Sequence, residues 1–199
     1  MSNLFKNMYK LKVNKIMQTK IELRSSMRIR RRDYISTVVE DSGIKLLEQL
    51  LPLLECTKKI AIYYSADGEI NLRELMEYCA HQSIELYAPV ATRSSRSMRF
   101  ELITNLRPRD IFYPENYELE TEIKWYNLDL VILPLLAVDH LGYRLGQGGG
   151  YYDTTFAKRQ SRPLLCGVGY SWQLCEQIPH ESWDLKLDYF ASESDLVKF

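Results

Sequence analysis

The chain has 199 residues, 46% of them hydrophobic, with 26 basic and 26 acidic side chains and a formal net charge of zero. That length and apolar content suit one domain with a true core, and neutrality gives no global attraction toward nucleic acid or acidic partners. No apolar run reaches the roughly 20 residues that span a bilayer, and Cys56, Cys79, Cys166, Cys175, His81, His140 and His180 lack zinc-ligand spacing, so free thiols in a reducing cytoplasm are expected rather than a zinc site or disulfides.

Charge is unevenly placed. Residues 1–32 carry ten lysines and arginines against the single acid Glu22. Residues 1–19 show neither an apolar stripe nor a secretory leader and read as a basic extension, disordered or a start-site artefact with Met17 as a later start. From 20 to 39, Ile21, Leu23, Met27 and Tyr34 recur among charges at helical spacing. Ser42 is placed to cap a helix over 43–54 with Leu46, Leu47, Leu50 and Leu54 on one face, and Pro52 falls near its end. Residues 59–64 read as a buried strand, 65–69 as a turn, 72–82 as a helix begun by Asn71, and 84–88 as a second strand. A strand–helix–strand unit of this kind favours a parallel pair with a right-handed crossover.

Further on, 93–99 is a polar loop, 98–103 a strand, 108–116 irregular and 129–133 a core strand closed by Pro134. A glycine-rich turn follows, Arg144-Leu145-Gly146-Gln147-Gly148-Gly149-Gly150-Tyr151-Tyr152-Asp153. A helix over 151–159 and strands over 164–170 and 189–192 complete the chain. Alternating strands and helices predict an α/β fold with a mostly parallel central sheet flanked by helices. Ligands bind such sheets beyond the carboxyl ends of the strands. The turns beginning at Ser65, Pro134 and Tyr170 therefore belong at one edge, with Glu69, the glycine turn and the segment around Asp184 near one pocket.

The glycine turn has two readings. One is a glycine-rich hairpin loop. The other is an anion cradle, in which glycines allow positive φ and close approach and successive N–H groups face one ligand. Arg144 and Asp153, opposite in sign, flank it and favour the cradle. It is not a Walker A motif, which needs Lys-Ser or Lys-Thr after its last glycine. Nor is it a dinucleotide fingerprint, since no early strand precedes it. Lys20, Arg24 and Arg28 fall at four-residue spacing and line one helix face. Such a face is either solvated or a partner for an anion that relieves its repulsion. The run Arg30-Arg31-Arg32 also offers an RNA contact.

In order, these elements resemble the 5-formyltetrahydrofolate cyclo-ligase (5,10-methenyltetrahydrofolate synthetase) family. The resemblance runs over about 20–194. It rests chiefly on the loop from Gly142 to Asp153, with the Lys20-x-x-x-Arg24 helix, Glu69 after the first strand, Pro134 to Asp139, Gly167 to Tyr170 with Gln173, and Trp183-Asp184. Leu135 replaces the family's usual glycine, Val138 its phenylalanine and Trp183 its histidine. The resemblance implies a three-layer α/β fold (NagB/RpiA/CoA-transferase-like) in a single domain over 20–199. It implies ATP- and magnesium-dependent conversion of 5-formyltetrahydrofolate to 5,10-methenyltetrahydrofolate, ADP and phosphate. Lys20, Arg24 and Arg144 would neutralise the triphosphate, and the turn Leu145, Gly146, Gln147, Gly148, Gly149, Gly150, Tyr151 and Tyr152 would cradle it, with Arg144, Lys20 and Tyr152 as the catalytic set. Asp153 and Asp184 would hold magnesium, while Tyr64, Glu69, Met98 and Tyr152 would bind the folate. Small-molecule substrates, no nucleic acid, no membrane, a cytoplasmic location and a monomer or weak homodimer are expected. The competing class is a non-enzymatic RNA-binding protein using the basic helix.

Overall fold

The computed structural model describes residues 19–36, 41–92, 95–103 and 119–199; the basic extension over 1–18 and the irregular stretch over 108–116 lie outside them. Helix α1 spans Lys20–Ile35. It starts there because Thr19 and Glu22 form a capping box: the Glu22 N–H donates to the Thr19 hydroxyl at 3.2 Å, and the Thr19 N–H to the Glu22 carboxylate at 2.9 Å. Its buried stripe is Leu23, Met27 and Arg31. The helix stops at Ile35 rather than at 39, and Ser36 caps it; residues 37–39 lie outside the described stretches. Helix α2, Ser42–Leu54, buries Leu46, Leu50 and Leu54 and keeps Pro52 inside its last turn. Helix α3 is Arg73–His81.

The strands are β1 (Lys59–Ala61), β2 (Glu85–Thr92), β3 (Ser95–Ile103), β4 (Leu119–Ile123), β5 (Leu130–Pro134), β6 (Ala137–Asp139), β7 (Arg144–Leu145), β8 (Leu164–Val168), β9 (Leu174–Cys175), β10 (Tyr189–Ala191) and β11 (Leu196–Lys198). Among the described residues, eight form one sheet in the order β11-β10-β8-β5-β1-β2-β3-β4. Its centre, β10-β8-β5-β1-β2, is parallel. Antiparallel strands flank it: β3 and β4 at one edge, β11 at the other. Asp129 keys β1 to β5, since its carboxylate receives the N–H groups of Lys58 and Lys59, each at 2.9 Å.

Successive strand residues point to opposite faces, and the two cores follow that rule. Ile60, Ile62, Leu130 and Ile132 pack under α2 and α3 with Leu46, Leu50, Leu75 and Cys79. Ala61, Val131, Leu133 and Leu165 face the other way, toward Phe100, Phe156 and Leu187. The helical cover on this second face is thin. Helix α4 runs only Tyr151–Thr155, where the sequence predicts a helix to 159. The Thr155 hydroxyl donates to its own helix at Tyr151 O (2.7 Å) and receives the Met98 N–H of β3 (2.9 Å), which fixes α4 to the sheet.

A second, smaller sheet, β7-β6-β9, stands beside the first. Leu136, Ala137 and Leu145 of this region pack against Leu23 and Met27, so α1 docks here. The turn between β6 and β7 is held by the fully buried Asp139 carboxylate, which receives the N–H groups of Leu141 and Tyr143 (both 3.0 Å) and of Ile178 (3.1 Å). Among the described residues, no helix is long and apolar enough to cross a membrane.

Candidate active site

Strands β1, β5 and β8 are adjacent and parallel, so their carboxyl ends share an edge. A cavity of about 620 Å³ opens there. Leu135, directly after β5, lines it, and Gly167 of β8 and Gly169 just after it make room for that side chain. A Cβ added at Gly167 would lie 2.6 Å from Leu135, and one at Gly169 2.9 Å.

The cavity gathers Lys20 and Arg24 from α1, Glu69 from the turn after β1, Met98 from β3, the whole glycine turn, Tyr151, Tyr152 and Asp153 from α4, and Asp184. All the residues expected at the nucleotide, metal and folate sites therefore line one space, except Tyr64. Tyr64 lines a neighbouring cavity of about 400 Å³, with Glu69 as the lining residue common to both.

The four-residue spacing of the α1 cations has a structural meaning. Lys20 bonds to the Asp184 carboxylate. Arg24 Nε donates to Gly146 O at 2.9 Å. Arg28 donates to the Gln147 side-chain oxygen from Nε (3.1 Å) and Nη2 (2.7 Å). Arg24 and Arg28 thus hold the glycine turn by its acceptors, and Lys20 on the same face holds Asp184. Within the turn, Gly148 (φ +102°) and Gly150 (φ +71°) adopt left-handed backbone, which any other residue takes with strain. At Gly146, an added Cβ would come within 2.9 Å of the Arg144 guanidinium.

Arg144 is 5% exposed. Its Nη2 donates to Asp153 Oδ1 at 3.2 Å and its guanidinium carbon lies 5.4 Å from the Tyr152 ring centre, while its buried Nε has no hydrogen-bond partner. Burial pushes the Tyr152 phenol well above its ordinary value, against the opposing pull of Arg144, so it stays an O–H donor at neutral pH. Burial likewise raises the Glu69 carboxyl; the Ala66 N–H and Arg31 pull it back.

Asp153 and Asp184 are brought together because Asp153 Oδ1 also receives the Leu185 N–H at 3.0 Å. Among the described residues no three His, Cys, Asp or Glu side chains cluster to hold a metal unaided. Two carboxylates suit an ion that takes its other oxygens from phosphate and water, which is how magnesium is usually bound.

The run proposed as an RNA contact is divided by the fold. Arg31 is buried at 1% exposure, Arg30 lies 4.4 Å over the Trp172 ring, and Arg32 is exposed; Arg28, on the same helix, is committed to Gln147. Four further residues line the cavity without a sequence signal for it, Pro89, Ala91, Arg96 and Thr154, while Trp183, noted only as a position that departs from the family, stands 71% exposed at the rim. Arg96 was recoverable. It is two residues from Met98 on one strand, hence on the same face. Arg31 was recoverable too, four residues beyond the buried Met27.

The sequence profile of the 5-formyltetrahydrofolate cyclo-ligase family matches residues 16–193. The 5-formyltetrahydrofolate cyclo-ligase of Haemophilus influenzae is 30% identical over 155 residues, covering 75% of this chain and 80% of that one. The enzyme of the same name from Escherichia coli K12 is 29% identical over 181 residues, covering 84% and 97%. Among solved structures, the NMR structure of Aquifex aeolicus 5,10-methenyltetrahydrofolate synthetase superposes with a TM-score of 0.69 at 25% identity, over 90% of this chain and 92% of that one. A Mycoplasma pneumoniae 5,10-methenyltetrahydrofolate synthetase shares the fold, with a TM-score of 0.69 at 21% identity over 88% and 99%.

Proposed function

The chain belongs to the 5-formyltetrahydrofolate cyclo-ligase family, and we propose that it is an enzyme converting 5-formyltetrahydrofolate to 5,10-methenyltetrahydrofolate at the expense of ATP. The observation that carries this reading is the convergence in one cavity of four cations, a glycine turn and a half-buried carboxylate: Lys20, Arg24, Arg96 and Arg144 beside Gly146 to Gly150, with Glu69 also on the lining.

An N-formyl oxygen is a poor leaving group. In the proposed reaction it attacks the γ-phosphorus of ATP. A P–O bond forms, the bond to the bridging oxygen breaks, and ADP departs. The resulting imidate phosphate has an electrophilic carbon. A neighbouring folate nitrogen attacks that carbon, the C–O bond breaks, and phosphate leaves with the former formyl oxygen as the nitrogen gives its proton to phosphate or solvent. No protein nucleophile is required. The residues act by placing the reactants and by meeting charge as it develops.

Lys20, Arg24 and Arg144 would take the triphosphate oxygens, Arg144 with a guanidinium already fixed by Asp153 and Tyr152. The N–H groups of the glycine turn would complete the cradle. Glu69 would accept the pterin amino and ring N–H donors, with Tyr152 and Met98 beside it. Asp153 and Asp184 would hold magnesium, which supplies charge neutralisation to the phosphates when bound. The enzyme would act on small molecules in the cytoplasm, as a monomer or weak homodimer.

The test is direct. Protein, ATP, magnesium and 5-formyltetrahydrofolate are mixed, and the absorbance of the methenyl product is followed. Growth that depends on ATP supports the proposal; none with folded protein, or growth without ATP, refutes it.

A further inference from the structure

One buried charge has no role in the scheme above. Arg31 sits on the apolar stripe of α1, after Leu23 and Met27 at four-residue spacing, and is 1% exposed. Arginine is almost never buried so deeply unless paired. A buried pair is usually no better for stability than apolar side chains of the same volume, so stability alone does not account for it. Its contacts are long: Nη1 donates to Glu69 Oε1 at 3.5 Å and to Leu135 O at 3.4 Å, and Nε, also buried, has no hydrogen-bond partner. A leucine at this position would continue the stripe without desolvating a charge.

The other end of the contact explains the choice. Glu69 lies where the two cavities meet. One carboxylate oxygen receives the Ala66 N–H at 3.2 Å; the other faces Arg31. The remaining groups that face the carboxylate are Asp67 on its own turn, Tyr63 beyond β1 and Tyr152 of α4, while Tyr170 faces Arg31. Asp67 repels a charged Glu69, and the phenols, raised by burial, stay neutral. Among these groups only Arg31 favours the carboxylate by charge.

We infer that Arg31 is a positioning residue: the buried counter-charge that keeps Glu69 an acceptor at both oxygens and turned toward the cavity. The inference rests on the reading of Glu69 as the partner of the pterin N–H edge. A protonated Glu69 would set an O–H against that edge and lose an acceptor. Because the pair is loose, the carboxylate keeps lone pairs to offer.

The test compares wild type, Arg31→Met, Arg31→Lys, Glu69→Gln and the double variant Arg31→Met/Glu69→Gln. The Glu69 carboxyl is titrated by carbon NMR in the folate-free protein, and steady-state rates are measured against pH. In Arg31→Met the Glu69 midpoint should move up, and in Arg31→Lys it should fall between that value and wild type. The KM for 5-formyltetrahydrofolate at neutral pH should rise about tenfold, the loss of one charge-assisted hydrogen bond, with kcat within about twofold. The rise should shrink as pH increases and Glu69 re-ionises. In the Glu69→Gln background, removing Arg31 should raise KM no further. A merely structural arginine would move neither the midpoint nor the pH dependence of KM. An unmoved midpoint overturns the inference, and so does a moved midpoint with an unchanged KM. Should Arg31→Met fail to fold, Arg31→Lys decides on the same two readings. A wild-type protein that makes no methenyl product would sink the assigned reaction, while the NMR midpoints would still decide whether Arg31 governs the charge of Glu69.

Discussion

Replacing Arg144 with alanine should cut turnover at least about a hundredfold and leave the fold standing. The side chain is 5% exposed, fixed by Asp153 at 3.2 Å and by the Tyr152 face, and is one of four cations lining the cavity. Removing one preorganised donor from a developing oxyanion costs about 3–4 kcal/mol, or roughly two to three orders of magnitude in rate. The stability loss should be smaller. Asp153 remains 24% exposed to water and keeps the Leu185 N–H at 3.0 Å, so its orphaned charge is partly solvated and the loss should be about 1–2 kcal/mol. For a domain of this size that lowers Tm by about 2–8 °C. Methenyl absorbance measures the first quantity and a circular-dichroism melt the second. Wild-type turnover in a variant that melts normally would remove Arg144 from the chemistry. Unfolding at room temperature would show instead that it holds the fold.

Lys20→Met removes a cation whose present partner, Asp184, also receives the Glu181 N–H; the KM for ATP should rise about tenfold with little change in Tm, and an unchanged KM would free Lys20 from the nucleotide. Gly148→Ala meets φ +102° and places a Cβ 3.4 Å from the Arg24 guanidinium carbon. It should cost about 1–2 kcal/mol in urea denaturation and weaken ATP binding measured by calorimetry; full affinity would mean the turn does not touch the nucleotide. Glu69→Gln should change the pH dependence of stability. Burial raises the folded-state pKa of Glu69, so the folded wild type binds more proton than the unfolded chain from about pH 4.3, the ordinary glutamate value, up to that raised pKa. Wild-type stability therefore falls as pH rises through this window, and the glutamine variant should lack that slope. Parallel urea midpoints for the two proteins from pH 4 upward would contradict the argument.

Much of the fold could be read from the residues, for reasons the structure makes plain. The central strands are short apolar runs because the sheet is covered on both faces, and the Lys20, Arg24, Arg28 spacing is one helix face that meets Asp184 and the glycine turn. What could not be read is mostly non-local. The two- and three-residue strands β6, β7 and β9 exist only because α1 and the buried Asp139 carboxylate hold them together. Strand β1 ends at Ala61 rather than Tyr64, although Ile62 still donates to Tyr87 O at 3.0 Å. Tyr64 therefore leads toward the smaller cavity and away from the larger one. Helix α4 ends at Thr155 because its hydroxyl and Phe156 are claimed by the sheet. Strand β4, Leu119–Ile123, and the burial of Arg31 both follow the apolar period, but the charged residues there mask it.

Lys20 with Asp184 and Arg144 with Asp153 cancel in two couples across the cavity. A purely anionic ligand that drew off both cations would strand two carboxylates beside itself and meet new repulsion. A polyanion arriving already chelated to a divalent ion provides each released group with a replacement of the right sign. On the proposed function, the resting pairs would act as a filter, disfavouring bare phosphate and metal-free nucleotide before any shape is compared.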